Sequence, residues 1–304
     1  MKLSSLGEFG LIDKISALFK NKKTTIVGIG DDTAILEYSK SQYLLVTTDA
    51  LIEKVHFKIK KSTAYFNLGW EALAVSISDI AAMGGTPTQA VISLGLPQKT
   101  TVEQVMSFYK GIKAVAKEYG VNIIGGDTTA SKSDLFISIT LLGLVEKKKL
   151  TLRSTAKVGD LIYVTGAFGG AAVGKYDLSK KVFPRVKEGS QISELASAMI
   201  DSSDGLARSV REICKASRVG AIIREEQVPM AKGATLDQAL NGGEEYELVF
   251  TVPTKEKEKI KKLGFKVENI GEIKKKMVGI KLIDKNGKMK KMGDYGYDHF
   301  KEKK

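Results

Sequence analysis

The stretch Ala72–Gly85, ALAVSISDIAAMGG, is a run of small apolar residues with one carboxylate, Asp79, inside it and a glycine pair at its end. Its apolar spacing extends back to Tyr65 and predicts a helix over 65–83. Beyond it, Ala90–Leu96 reads as a strand, Val102–Tyr119 as a helix, and Val121–Ile124 and Leu135–Leu144 as further strands. Before it, Phe9–Phe19 reads as a helix and Tyr43–Thr48 as a strand. The second half repeats the mixture. Strands are expected at Leu161–Thr165, Ala221–Arg224 and Glu247–Val252, and helices at Ile192–Met199 and Leu206–Ser217. Strands and helices interleaved in both halves predict two α/β or α+β domains. The charged turn Glu146–Leu150 and the Val158-Gly159-Asp160 turn before LIYVTG set the boundary, giving 1–148 and 149–304.

Composition narrows the class. With 304 residues, 43% hydrophobic, 27% charged and five prolines, the chain has the make-up of a globular protein rather than a fibre or a disordered chain. Its single cysteine, Cys214, excludes an intrachain disulfide and a cysteine metal cage. Glu8 and Asp13 interrupt the apolar core a signal peptide would need, and the most apolar run, Leu135–Val145, is too short to span a bilayer. A cytoplasmic protein without membrane association is expected. The net charge of +13 invites a nucleic-acid reading. Yet 17 lysines and no arginine lie against 8 acids between Pro253 and Lys304, a net +9 in that segment alone. A binding groove would usually mix arginine and aromatics with lysine, whereas KEKEKIKK and EIKKKMVGIK read as the solvated faces of a helix and strands. No nucleic-acid partner is therefore expected, and a basic tail binding RNA or another acidic partner is the opposing reading.

The acids outside that tail cluster at element ends. GIGDD (Gly28–Asp32) is a glycine turn with two carboxylates, Thr47-Thr48-Asp49 ends a strand, and Ser78-Asp79 lies in the apolar helix. GGDTT (Gly125–Thr129) ends another strand, and DSSDG (Asp201–Gly205) opens a helix. Taken singly, Asp204 would cap its helix and Asp127 would be an ordinary turn residue. Asp79 resists that explanation, since an unpaired charge among small apolar residues is costly. Converging carboxylates repel by about 4 kcal/mol per pair at 4 Å and an effective dielectric of 20, so as a set they call for cations. All-oxygen donors suit a hard ion, foremost Mg²⁺, shared with substrate phosphates. The run GGAAVGKY (Gly169–Tyr176) falls short of a nucleotide loop, because Tyr176 replaces the hydroxyl residue that would hold the metal. It is read as a glycine-rich turn entering a helix.

With these segments assembled, the chain resembles the thiamine-monophosphate kinase family of the aminoimidazole-ribonucleotide-synthetase-like ATP-binding superfamily. The resemblance rests on GIGDDTA (28–34), TTDALIEKVHF (47–57), SISDIAAMGGTP (76–87), IIGGDTT (123–129), LTLRSTAKVGDLIYVTG (150–166), DSSDGL (201–206), GGEEYEL (242–248) and GYDHF (296–300). It implies a two-domain α/β (α+β) fold, with an N-terminal sheet-forming ATP-binding domain that joins its mate's in a homodimer, and a C-terminal α/β domain. The implied activity is direct in-line transfer of the ATP γ-phosphoryl group to thiamine monophosphate, giving thiamine diphosphate. Carried over by motif, Asp31, Thr47, Thr48, Asp49, Asp79, Asp127, Asp201 and Asp204 would hold several Mg²⁺ ions, with Asp127 and Asp204 closest to the chemistry. Thr48, Tyr109, Gly126, Asp127, Arg153 and Ser203 would contact nucleotide; His56, Glu244 and Tyr297 would contact substrate. Tyr109 could instead pack in the core. One departure is visible: the family commonly reads GGEDYEL, and Glu245 stands here for that aspartate. Superfamily relatives that use a terminal cysteine or selenocysteine are a poorer match, because Cys214 lies within the helical pattern REICKAS.

Overall fold

The computed structural model describes residues 2–59, 64–173, 178, 181–293 and 296–300. Its first half runs α1 (Leu3–Ser16), β1 (Thr25–Val27), β2 (Ala34–Glu37), β3 (Gln42–Ile52), α2 (Tyr65–Ala82), β4 (Thr86–Pro97), α3 (Val102–Tyr119), β5 (Asn122–Ser131) and β6 (Phe136–Glu146). These strands form one sheet in the order β1-β2-β3-β6-β4-β5, antiparallel except where β4 and β5 run parallel. The second half contains β7 (Leu161–Thr165), α4 (Gly170–Val173), α5 (Val186–Ile192), β8 (Ala198–Asp201), α6 (Leu206–Ser217) and β9 (Gly220–Arg224). It continues through α7 (Leu236–Asn241), β10 (Leu248–Val252), α8 (Lys257–Ile260), β11 (Val267–Lys274), β12 (Ile280–Ile283) and β13 (Met289–Lys291). Its sheet has the order β13-β12-β9-β11-β7-β10-β8.

One face of the first sheet is covered and the other is open. Leu45, Leu51, Ile92, Leu94, Ile137, Ile139 and Leu141 point into a core closed by Leu68, Leu73, Ile77 and Ile80 of α2 and Phe108 and Ile112 of α3. The two helices meet backbone to backbone through glycines on both sides. A Cβ at Gly69 would lie 2.0 Å from the Phe108 carbonyl oxygen, and one at Gly111 would lie 1.9 Å from that of Phe66. Only glycine permits so close an approach, which fixes α2 and everything it carries. A reciprocal cap starts α3: Thr101 Oγ1 accepts the Gln104 N–H, and Gln104 Oε1 accepts the Thr101 N–H.

Two elements differ from their sequence reading, and a third, the lysine-rich C-terminal run, follows it. The expected helix over Ile192–Met199 is instead the end of α5 followed by strand β8, all four residues of which are buried. Ala198, Met199 and Ile200 are apolar on both faces because β8 lies between α2 and α6, and periodicity cannot distinguish so short a buried strand from a helical turn. The N-terminal helix begins at Leu3 and is interrupted by Gly7 at φ 74, leaving Leu18 and Phe19 exposed past its end. The lysine-rich C-terminal run forms α8 and β11–β13, with Lys259, Lys261, Lys266 and Lys274 paired to Glu256, Glu258, Glu268 and Glu272 on the surface. Among the described residues no helix is long and apolar enough to cross a membrane.

Candidate active site

Helix α2 brings three hydroxyl and carboxyl groups to one place. Ser76 Oγ donates to Asp49 Oδ2 of β3 at 2.7 Å, and Ser78 Oγ donates to Asp201 Oδ2 of β8 at 2.7 Å. Thr47 of β3 in turn donates to Asp79 Oδ2. Both serines are fully buried, so each carboxylate replaces the solvent partner its hydroxyl has lost. The turn between β1 and β2 adds Asp32. Carboxylate oxygens of Asp32, Asp79 and Asp201 all lie within 4.8 Å of one another, and Asp32 Oδ2 is buried without a hydrogen-bond partner.

Burial raises the proton affinity of this cluster. Asp32 and Asp79 are pushed well above the usual carboxylate range, and Asp49 and Asp31 are also raised, each chiefly by desolvation. Burial lifts Asp201 to about 6 and Asp204 to about 7. Neighbouring carboxylates reinforce the rise: Asp49, Asp201 and Asp32 all act on Asp79. Arg153 opposes it from the start of the second half. Its Nε donates to Asp31 Oδ1 at 3.2 Å, its backbone N–H donates to Asp31 Oδ2 at 3.2 Å, and its Nη2 donates to Asp32. Burial works against the guanidinium charge, but Asp32 and Asp31 hold it firmly protonated. An acidic, partly protonated, all-oxygen cluster with an orphaned buried oxygen fits a hard divalent cation.

The remaining candidates fall into separate groups. Ser203 and Asp204 follow β8; the Ser203 carbonyl accepts the Glu244 N–H at 2.6 Å and the Asp204 carbonyl accepts the Tyr297 N–H at 3.1 Å. His56 lies after β3, its Nδ1 accepting the Ile52 N–H at 3.0 Å. Its ring is 5.1 Å from that of His299, which stands edge-on to Tyr297 at 4.8 Å. The second-half loop and the first-half strand end are thus joined at the C-terminal segment. Thr48 and Asp127 are elsewhere. Asp127 of β5 pairs with Ser93, which pairs with Ser138, and Thr48 Oγ1 accepts from Thr140 Oγ1 at 3.2 Å. Both residues occupy the open face of the sheet, and Asp127 stands three strands, about 14 Å, from β3. Within one chain they do not meet the Asp32–Asp79–Asp201 group. Gly126 lies against the Ile92 carbonyl, and the Tyr109 ring packs on the first core, edge-on to Phe108 at 5.5 Å.

Several residues of the site have no place in the sequence reading. Asp32 is the neighbour of the selected Asp31, and the doubled aspartate was the available signal: both carboxylates accept from Arg153, and Asp32 also reaches Asp79 and Asp201. Ser76 and Ser78 were signalled by hydroxyls in an otherwise apolar helix. Glu71 of α2 is pushed to about 8 by burial and by the nearby Glu244. The loop before β10 holds Glu244 at φ 65 and Tyr246 at φ 52, left-handed conformations unusual for such residues. Two neighbours brace it. Glu245 accepts the N–H groups of Gly169 (2.7 Å) and Ala171 (3.1 Å) at the start of α4. Glu247 accepts from Thr165 Oγ1 (2.6 Å) and from Arg185 Nε and Nη2 (2.8 and 2.6 Å). The expected glycine turn therefore enters a short helix at Gly170; Gly174, Lys175 and Tyr176 lie outside the described residues.

Comparison with known proteins gives a consistent result. Residues 30–145 match the AIR synthase related protein N-terminal domain, and 141–282 match the corresponding C-terminal domain. A thiamine-monophosphate kinase of Buchnera aphidicola (subsp. Schizaphis graminum) is 37% identical, covering 96% of this chain and 99% of its own. That of Bacillus subtilis is 34% identical, covering 97% and 100%. Among solved structures, AaThiL complexed with AMPPCP and TMP superimposes with a TM-score of 0.83 at 32% identity, covering 98% of this chain and 99% of that one.

Proposed function

Because the chain belongs to the thiamine-monophosphate kinase family of AIR synthase related proteins, we propose that it transfers the γ-phosphoryl group of ATP to thiamine monophosphate by direct in-line displacement. The observation that carries this reading is the buried Asp32–Asp79–Asp201 group with its orphaned oxygen, in a chain similar throughout to a structure complexed with AMPPCP and TMP. Asp32, Asp79 and Asp201 would hold Mg²⁺, with Asp31, Thr47, Asp49 and Asp204 around them. When bound, the metal supplies positive charge that offsets the charge on the polyphosphate and on the transferring oxygens.

The chain's own residues do the positioning. Ser76, Ser78 and Thr47 donate to the carboxylates and so orient their free oxygens toward the centre. Arg153 stands where it can exchange carboxylate for phosphate, and Ser203 lines the same loop as Asp201. The acceptor is itself an ionised phosphate, so the reaction needs orientation rather than a general base. His56, Glu244 and Tyr297 lie on the side facing the C-terminal segment, which suits the heterocyclic end of the substrate.

Thr48, Gly126 and Asp127 enter this scheme through a second copy. The edge strand β5 is exposed along most of its length, and Ile124 and Val91 are exposed beside it. Such an edge is a ready template for strand addition, which supports a homodimer in which this sheet joins its mate's. The chain is read as two domains, 1–148 and 149–304, in the cytoplasm. The experiment is direct: purified protein with thiamine monophosphate, ATP and Mg²⁺ is assayed chromatographically for thiamine diphosphate and ADP. Absence of both products while a control kinase is active would refute the proposal.

A further inference from the structure

The two ends of the chain are tied together beside the proposed thiamine end of the site. Gly7, at φ 74, interrupts α1, so Glu8 begins a new helical stretch whose first N–H groups lack intrahelical acceptors. Asp298 accepts the Glu8 N–H through Oδ1 at 3.0 Å and Oδ2 at 3.2 Å. In return, Glu8 Oε2 accepts the His299 N–H at 3.4 Å, and Asp298 Oδ1 also accepts the Phe300 N–H at 3.0 Å. This is the reciprocal logic of a helix-capping box, carried by residues 290 positions apart.

The tie is anchored on both sides. Phe9 of α1 lies under the Arg208 guanidinium, 4.2 Å from it, and Lys215 of α6 pairs with Asp13 at 2.8 Å. On the other side, the Tyr297 N–H donates to the Asp204 carbonyl at 3.1 Å. Asp298 therefore lies between a fixed helix and the rings of Tyr297 and His299, the latter of which approaches His56. An end segment without such a tie keeps its conformational freedom and must lose it on binding.

We infer that Asp298 is a positioning residue for substrate recognition: by capping α1 at Glu8 it holds Tyr297 and His299 beside His56, so α1 forms part of the thiamine-binding apparatus. The inference rests on the proposed substrate role of Tyr297. Its test uses the full chain, with steady-state kinetics varying each substrate in turn, calorimetric titration of thiamine monophosphate as a readout independent of turnover, and thermal melts. Asp298→Ala should raise the Michaelis and dissociation constants for thiamine monophosphate by about three- to tenfold, the loss implied by one or two such hydrogen bonds. The constant for ATP should stay within about twofold on the same grounds. Asp298→Asn, which keeps an acceptor oxygen for the Glu8 N–H, should recover most of the loss. Combined with Tyr297→Ala, Asp298→Ala should add nothing further. Should Asp298→Ala fold poorly, Glu8→Ala removes only the His299 tie and should give a smaller rise in the same constant. If the two effects multiply, if both substrate constants rise together, or if Tyr297→Ala weakens binding while Asp298→Ala does not, this inference is overturned and the substrate role of Tyr297 stands. If Tyr297→Ala leaves thiamine monophosphate binding unchanged, the substrate placement itself fails and takes the inference with it.

Discussion

Replacing Asp79 by asparagine should make the metal-free protein more stable while removing most of its activity. With oxygens of Asp32, Asp79 and Asp201 within 4.8 Å of one another, each ionised pair repels by roughly 3 to 4 kcal/mol at an effective dielectric of 20. The wild-type cluster escapes part of that cost by keeping protons and by its ion pair with Arg153, so the relief at pH 8 is on the order of 2 kcal/mol. The asparagine oxygen can still accept from Thr47, so no hydrogen bond is lost. For domains of this size such a gain raises Tm by about 4 to 8 °C. At pH 5, nearer the range in which burial favours the protonated carboxyls, the difference should shrink. Activity moves the other way: loss of one group that organises transition-state charge costs on the order of a hundredfold or more in kcat. The assays are calorimetric melts with EDTA and with Mg²⁺ at both pH values, plus turnover. A metal-free Asn variant less stable than wild type at pH 8, or one that keeps both its Mg²⁺-induced Tm rise and its turnover, would refute the assignment of Asp79 to a metal-holding cluster.

Three further outcomes are expected. Since Asp201 and Asp204 have folded-state values of about 6 and about 7 against 3.8 for the free side chain, the folded protein binds protons more tightly than the unfolded chain. The metal-free protein should therefore lose stability as pH rises from about 4 to 7, while its affinity for Mg²⁺ increases over the same interval; a Tm that climbs with pH in EDTA would contradict this. Arg153→Met leaves Asp31 and Asp32 without their buried counter-ion and should cost about 3 to 5 kcal/mol by denaturant titration in EDTA, less in saturating Mg²⁺; equal losses in both would show that the metal does not share these carboxylates. Glu245→Asp shortens the arm that caps Gly169 and Ala171, and amide exchange at those two positions should accelerate by about five- to thirtyfold, with unchanged rates excluding the cap.

What the sequence made legible follows from the physics of each segment. The long amphipathic α3 and the alternating β6 announce themselves by period, and Asp79 is conspicuous because it is the one charge within the small apolar run Ala72–Ala82. Asp32 was hidden by adjacency, since a doubled aspartate in a turn does not say which carboxylate faces in; the structure answers through Asp79 and Asp201, both distant in sequence, whose oxygens gather with those of Asp32. The start of strand β8 was read as helix because Ala198, Met199 and Ile200 are apolar on both faces, a consequence of burial between α2 and α6 that local spacing cannot encode. Motif order suggested a single array of acids, whereas the sheet separates them: Asp49 faces α2, and Asp127 lies on the far side. Only the ladder register, which fixes the face of each residue, carries that information.

The wide sequence separation of the groups that meet at α2 has a consequence for the order of events in folding. Ser78 and Asp201 are 123 residues apart, and Asp31 and Arg153 are 122 apart, so their contacts form only after two separately nucleated sheets have docked. Pairings of such long range close late, because their loop entropy must first be overcome. Mg²⁺ held by this cluster, as proposed, would find its ligands gathered only after the slow step. It should leave the refolding rate nearly unchanged and slow unfolding instead, acting as a latch on the finished molecule rather than as a template for it.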